Sequence, residues 1–359
     1  MSSQYCESRA GRAVFVGVAA LFVVSIAMRG FTVSHVICSL RPEPPVSAEM
    51  QMLTSAMKSY REWRGAFPPC MGASSRNDRD ARFNEHLRKA YRRCMAGSYS
   101  AVRQAISAGE PAHNFRDASG LVRPLDLDTL DQAEALVFWL AGFPGPVDAK
   151  GKPIAPKKLI GFDQNPATPF ALRRLPDEPW AESAKRRRPP LFDFDESRLT
   201  DHDDDGWLEY VPPTTTGQKV ADVPPYVYFD ARLYTAWKAA TEPCRYSGYP
   251  MIGAVGGNAK SIQLRDRWGL AVPYPAAMSG SQEAISWINP LSVQIITAGD
   301  DLRYSSRENA LQLRLPMYPS GTTYYERDQF SNPSRDYDPD ERDNLTSFAP
   351  GTLENQRSR

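Results

Sequence analysis

Histidine is scarce in this chain, with four in 359 residues. His35, His86, His113 and His202 are scattered, and none stands with a recognisable nucleophile partner. Cysteine is sparse too, with five. The spacing of Cys70 and Cys94 resembles no zinc pattern, so a zinc-finger reading is excluded. Excess charge of one sign is missing: Lys+Arg 43 against Asp+Glu 42 leaves a net charge of +1. That is no footprint for a nucleic acid. The glycine-rich stretch Gly253–Gly257 lacks the strand before and helix after that a phosphate loop needs. There is no internal repeat. Together these absences remove the common catalytic and nucleic-acid-binding classes and favour a non-enzymatic protein.

Long apolar runs are also missing, with one exception. Mean hydropathy is -0.48, yet Ala13–Leu40 is strongly apolar. Ala13–Met28 is short for a bilayer core, which takes roughly 20 helical residues. Continuing to Leu40 places Arg29 inside the span, and an arginine at mid-bilayer is costly. Arg9 and Arg12 precede the run, which orients the N-terminus to the cytoplasm. Three readings are open: a membrane anchor, a signal peptide cleaved after Ala27, and a buried helix. The anchor organises the expected layout. A cytoplasmic tail covers 1–12 and the anchor with its interfacial segment 13–40. A helical region spans 41–144, a β-rich head with long loops 145–350, and a flexible tail 351–359. This layout puts the protein in the inner membrane as a single-pass protein, with its head outside the cytoplasm.

The rest of the chain is rich in proline, at 31, and 11% aromatic. Arg41-Pro42-Glu43-Pro44-Pro45 stops any preceding helix. Met50, Leu53, Met57 and Tyr60 then recur at helical spacing, which predicts an amphipathic helix over 48–64. Phe83, Leu87, Tyr91 and Cys94 predict a second, resuming through Val102 and Ile106. A third is expected to open at Asp128, with Asp131 three residues on as a capping-box-like start, and an apolar face of Leu130, Ala133, Val137 and Leu140. After residue 144 the helical period disappears. Leu191–Phe194, Leu208–Val211, Tyr226–Phe229 and Val293–Thr297 read as strands, separated by long loops. The basic run Lys185–Arg188, followed by Pro189-Pro190, reads as a solvated linker. In an exported head, Cys70 and Cys94 are the natural disulfide pair. The expected fold class is α+β. A single N-terminal membrane helix leads to amphipathic helices packed on a small, mainly antiparallel sheet with long Pro-rich loops.

Two acidic groups could hold a cation. Asp201, Asp203 and Asp205 alternate ahead of Gly206, as in the first half of an EF-hand loop. Position twelve is Pro212 rather than glutamate, so a looser calcium loop and an Asp-Gly turn joining strands 192–194 and 208–211 both stay open. Asp300 and Asp301 leave the strand Val293–Thr297, with Asp343 and Asn344 later. They read either as a calcium site between two loops or as a solvated acidic turn. Asp193, Asp195, Glu196 and Glu209 are the candidates for a hydrolase-type carboxylate pair.

Several phrases together resemble a known group. They are Gly30-Phe31-Thr32, Tyr60–Pro68, Phe192–Glu196, Asp205–Tyr210, Tyr226–Asp230, Gln294–Asp301 and Asp343–Phe348. They are similar to large pseudopilin-like proteins, related to the major pseudopilin of bacterial type II secretion and so to type IV pilins. The prepilin signal here is degraded or displaced, because the apolar run precedes Gly30. The resemblance implies a pilin-like head and a structural role in a type II secretion or pilus-type system. It implies the membrane and other pseudopilin or secretion subunits as partners, and no nucleic acid. It also implies calcium at Asp300, Asp301, Asp343 and Asn344, with Asp201, Asp203 and Asp205 as the alternative. A different class, an exported binding module or carboxylate-dependent hydrolase, is the alternative function.

Overall fold

The computed structural model describes residues 45–71, 76–108, 113–172, 179–215, 217–230, 267–269, 271–278, 285–305, 314–316, 318–319, 323–325, 342–349 and 352–353. Helix α1 is Pro45–Arg64. Proline at its first position is tolerated, since that N–H has no helical partner anyway. Met50, Leu53, Met57 and Tyr60 are all buried, and Lys58, Arg61 and Glu62 face outward. Gly65 ends the helix with a positive φ of 79° and bonds back to the Arg61 carbonyl. The following Phe67-Pro68-Pro69 turn is used as a pair of acceptors: the Tyr228 hydroxyl donates to the Pro68 carbonyl at 2.7 Å and the Trp139 indole to that of Pro69 at 2.8 Å.

Helices α2 (Arg76–Ala90) and α3 (Tyr99–Ser107) follow, then the hairpin β1 (Asn114–Arg116) with β2 (Val122–Pro124). The ten-residue helix α4, Gln132–Ala141, is buried along its whole length. A helix this apolar all round belongs inside a core. It packs on α1 and on two later strands. Phe138 and Trp139 meet Phe83, Tyr91, Phe162 and Trp207 at ring-centroid distances of 5.2 to 6.3 Å, the range in which aromatic edges and faces attract. Beside them His113 stacks on Phe143 at 3.9 Å. Burial, then the Arg187 charge, pushes this imidazole down to about 3.

After the short helix α5 (Trp180–Lys185) the remaining strands follow. β3 (Leu199–Thr200) pairs antiparallel with β4 (Glu209–Tyr210). β5 (Val227–Asp230) pairs with β8 (Val293–Thr297) in the register Val227↔Ile296, and β11 (Leu345–Thr346) closes the other edge of β8. The remaining hairpins are β6 (Pro275–Met278) with β7 (Ile285–Trp287), and β9 (Arg314–Pro316) with β10 (Thr323–Tyr325). Every residue of β5 and β8 is buried. Glu49 ties α1 to the strands: Tyr210 and Tyr226 each donate a hydroxyl to it at 2.8 Å, and the Arg198 guanidinium pairs with it.

Several expectations are corrected here. The chain is α+β, but the expected class with a single N-terminal membrane helix is not what the structure presents. Among the described residues no helix is long and apolar enough to cross a membrane. α1 has the length, at about 1.5 Å per residue, but carries charges along its outer face. α4 is apolar but too short. The run Ala13–Leu40 itself lies outside the described residues. Among the described residues the antiparallel pairing is divided among five small sheets rather than gathered into one. Strands of two to five residues, interrupted by proline and by loops, cannot build a broad sheet. Cys70 and Cys94 are free thiols. Leu191–Phe194 is a bend followed by irregular chain and forms no strand, and the partner of 209–210 is 199–200 instead. The basic run is no solvated linker either. Arg187 is buried and donates to the Leu172 carbonyl, and burial lowers its guanidinium to about 10.

A candidate metal centre

The loop between β3 and β4 is Asp201–Leu208, and its conformation is dictated locally. Asp201 closes it by accepting from the backbone N–H groups of Asp205 at 3.1 Å and Gly206 at 2.9 Å. Asp204 sits at a φ of 66° and accepts from the Ala118 N–H at 2.7 Å, which fastens the loop to the turn of the β1–β2 hairpin. Gly206 has a φ of 94°, and a Cβ there would lie 2.4 Å from the Phe115 ring and 2.7 Å from Leu125. Only glycine fits. Trp207 then anchors the loop in the core: its indole donates to the Asp126 carbonyl at 2.9 Å.

This folding turns Asp203 and Asp205 inward, against the start of α4. That helix opens with a capping box. Asp131 Oδ1 accepts from the N–H groups of Ala133 at 2.8 Å and Glu134 at 3.1 Å, and Glu134 Oε2 accepts from the Asp131 N–H at 2.8 Å. Glu134, Asp203 and Asp205 thereby each bring a carboxylate oxygen within 4.8 Å of the other two. Among the described residues this is the one such group of three or more acidic, histidine or cysteine side chains. Glu134 and Asp203 are 1% and 3% exposed, and Asp205 is at the rim with 9%. Asp205 Oδ1 holds the Trp207 N–H at 2.9 Å, whereas its Oδ2 is buried without a hydrogen-bond partner, as is Asp131 Oδ2.

The electrostatics are those of crowded carboxylates. Desolvation is the largest cause of the upward shift at Asp131, Glu134 and Asp205 alike. The neighbours that add to it are other carboxylates: Glu209 and Asp203 around Asp131, Asp205 and Asp131 around Glu134, Asp203 and Asp201 around Asp205. Asp201, also largely desolvated, is raised to about 6. Glu209 lies deeper and is engaged by the His202 ring and N–H. His202 packs edge-on against Trp268 at 4.8 Å, and burial lowers it to about 4. The positive end of the α4 dipole faces the cluster and offsets part of the repulsion.

A hard cation fits this donor set. Calcium takes carboxylate oxygens at about 2.3–2.6 Å, so two ligands of one ion lie at most about 5 Å apart. The three oxygens satisfy that limit. Asp201 is used differently, as the brace of the loop. Glu134 was missed in the sequence because the capping box was expected at Asp128 and Asp131, whereas the structure forms it from Asp131 and Glu134. Its signal was the phrase Asp131-Gln-Ala-Glu134 at the head of the most apolar helix, three residues beyond the expected start.

The C-terminal group has another geometry. Asp300 is exposed in the turn after β8. Asp343 Oδ2 accepts from the Asp301 N–H at 3.0 Å, and Asp301 Oδ1 from the Arg303 N–H at 2.8 Å. Asn344 is buried and donates to the Tyr304 carbonyl at 2.9 Å and the Tyr274 hydroxyl at 3.3 Å. The structure therefore brings 299–301 against 343–344, with Asp301 and Asp343 accepting from backbone donors and Asn344 donating to core acceptors. Of the hydrolase-type candidates, Asp193 and Glu196 are exposed, Asp195 caps the turn Glu196–Arg198, and Glu209 is buried. No protein family, curated protein or solved structure matches this chain.

Proposed function

We propose that this protein is a non-enzymatic structural head of the pseudopilin-like kind, a subunit of a secretion or pilus-type assembly, held rigid by calcium bound between Glu134, Asp203 and Asp205. The observation that carries the reading is the convergence of three carboxylate oxygens within 4.8 Å in a desolvated site. Carboxylates this close cannot all ionise without a counter-charge. Either they keep protons at neutral pH, or a cation supplies the charge. The acceptor-only donor set suits an oxygen-seeking cation such as calcium. Support for the structural role is the long amphipathic α1 laid on β8 and β11, together with the phrases shared with the pseudopilin group. The chemistry is mechanical. A cation would pin the β3–β4 loop to the head of α4, and so fasten the small hairpin to the central helix.

The test is the thermal midpoint of the full chain with calcium, with magnesium and with chelator. At calcium 100-fold above its dissociation constant the folded state gains about 2.7 kcal/mol, or a rise of about 5 °C. Glu134→Gln should abolish that rise while keeping the capping box, since glutamine also serves at this position. A rise that survives in Glu134→Gln and disappears in Asp300→Asn/Asp301→Asn would move the site to the C-terminal loop. No rise in any form would remove calcium from the reading.

A further inference from the structure

A second feature, remote in chemistry from the acidic centre, is a basic cavity where the ends of α1 and α2 meet. Its volume is about 420 Å³. Its walls carry Arg64, Lys89, Arg92, Arg93 and Arg188, against a single acidic residue, Glu62. For a chain of net charge +1 this is a strong local excess. Part of it has a local cause. Arg64 lies in the last turn of α1 and donates Nη1 to the Ala90 carbonyl at 3.3 Å, the end of α2, where cations complement the helix dipole.

That cause does not use the whole charge. Arg64 Nε and Nη2 and Arg188 Nε are buried without hydrogen-bond partners. Among the described residues neither guanidinium has a carboxylate within ion-pair distance. The two also repel: after burial, the Arg64 charge is the next cause lowering Arg188. Both lean on the half-exposed Trp63, with Arg64 3.7 Å and Arg188 5.1 Å from the ring centroid. Aromatic stacking holds such guanidiniums flat; Arg64 Nη1 and Arg188 Nη2 are bonded to the Ala90 and Gln164 carbonyls, which leaves the remaining donors of the two forks for an acceptor.

We propose that this cavity docks an acidic peptide segment, whose carboxylates pair with Arg64 and Arg188 and whose flanks meet Arg92 and Arg93 at the rim. The cavity is several times the size of one free oxyanion, and its cations are spread around it, so a run of carboxylates answers the charge better than a single ion does. A nucleobase is a poorer occupant, because Arg64 already covers the Trp63 ring.

The experiment is a fluorescence-polarisation titration of the full chain with a labelled Gly-Asp-Glu-Asp-Glu-Gly peptide. Its Asn/Gln counterpart and inorganic phosphate serve as competitors. Saturable binding that weakens with added salt is expected. Arg188→Gln and Arg64→Gln should each weaken it at least about tenfold, and Arg92→Gln/Arg93→Gln by less. Arg188→Lys, which keeps the charge but loses the fork, should fall between. An unchanged thermal midpoint in Arg188→Gln separates lost binding from lost folding. Absence of binding, equal competition by the Asn/Gln peptide, or wild-type affinity in both arginine variants overturns the proposal. Phosphate binding tighter than the peptide also overturns it, in favour of a free-anion site.

Discussion

Two aspartate-rich loops leave short strands in this protein, and they use their carboxylates in opposite ways. After β3, Asp203 and Asp205 turn inward, and with Glu134 they bring three oxygens together out of water. After β8, Asp301 is exposed, and it and Asp343 accept from nearby backbone N–H groups. Both loops depend on a glycine. A Cβ on Gly206 would meet Phe115 at 2.4 Å, and one on Gly299 would meet Asp343 at 2.2 Å. The difference lies in what each loop is pressed against. The first meets the N-terminus of a buried helix. The second meets its own closing strand. An aspartate whose oxygens bond the backbone shapes a turn; carboxylates whose oxygens face one another in the interior call for a cation.

The largest expected effect comes from the two glycines. Gly206→Ala or Gly299→Ala forces backbone or core to shift and should cost about 3 kcal/mol or more, read as a lower thermal midpoint. The comparison is sharpened if only Gly206→Ala also loses its response to calcium. Next, Asp203→Asn/Asp205→Asn should erase a calcium-dependent gain of about 2.7 kcal/mol, while Asp300→Asn/Asp301→Asn keeps it. Chelator titrations followed by circular dichroism decide the matter, and the reverse pattern would invert the two loops' roles.

A pH series at saturating calcium gives a reference away from both loops. His113 is depressed to about 3 in the folded protein, so the unfolded chain binds its proton first as pH falls. Its contribution is complete above about 6.5 and is lost towards the folded value. Between pH 6.5 and 5 the wild type should lose about 2 kcal/mol relative to His113→Gln in denaturant melts. Identical slopes would show that His113 is solvated. The smallest effect is expected in chelator. There Glu134→Gln relieves repulsion and should stabilise by about 1 kcal/mol, a sign opposite to its effect with calcium.

The legible parts of the fold are those set by local period. Met50, Leu53, Met57 and Tyr60 mark the buried face of α1, and Val293–Thr297 is β8 residue for residue. The aspartates at 201, 203 and 205 were visible as an acidic loop ahead of Gly206; Glu134, the third carboxylate that the structure brings to Asp203 and Asp205, comes from elsewhere in the chain. Strand partners were less legible. Leu191–Phe194 is as β-prone as Leu199–Thr200, and only the loop braced by Asp201 selects the latter. Lys185–Arg188 looked solvated because four successive cations usually are. The cavity and the Leu172 carbonyl that draw Arg187 and Arg188 inward belong to distant segments.

By itself the sequence determined what short-range physics determines: which faces are apolar, where proline and glycine stop an element, and which residues can offer oxygen ligands. The tertiary structure decided which of those oxygens meet. Desolvation and charge repulsion are properties of a place, and the place between the β3–β4 loop and the head of α4 exists only once the buried helix has brought Glu134 to Asp203 and Asp205.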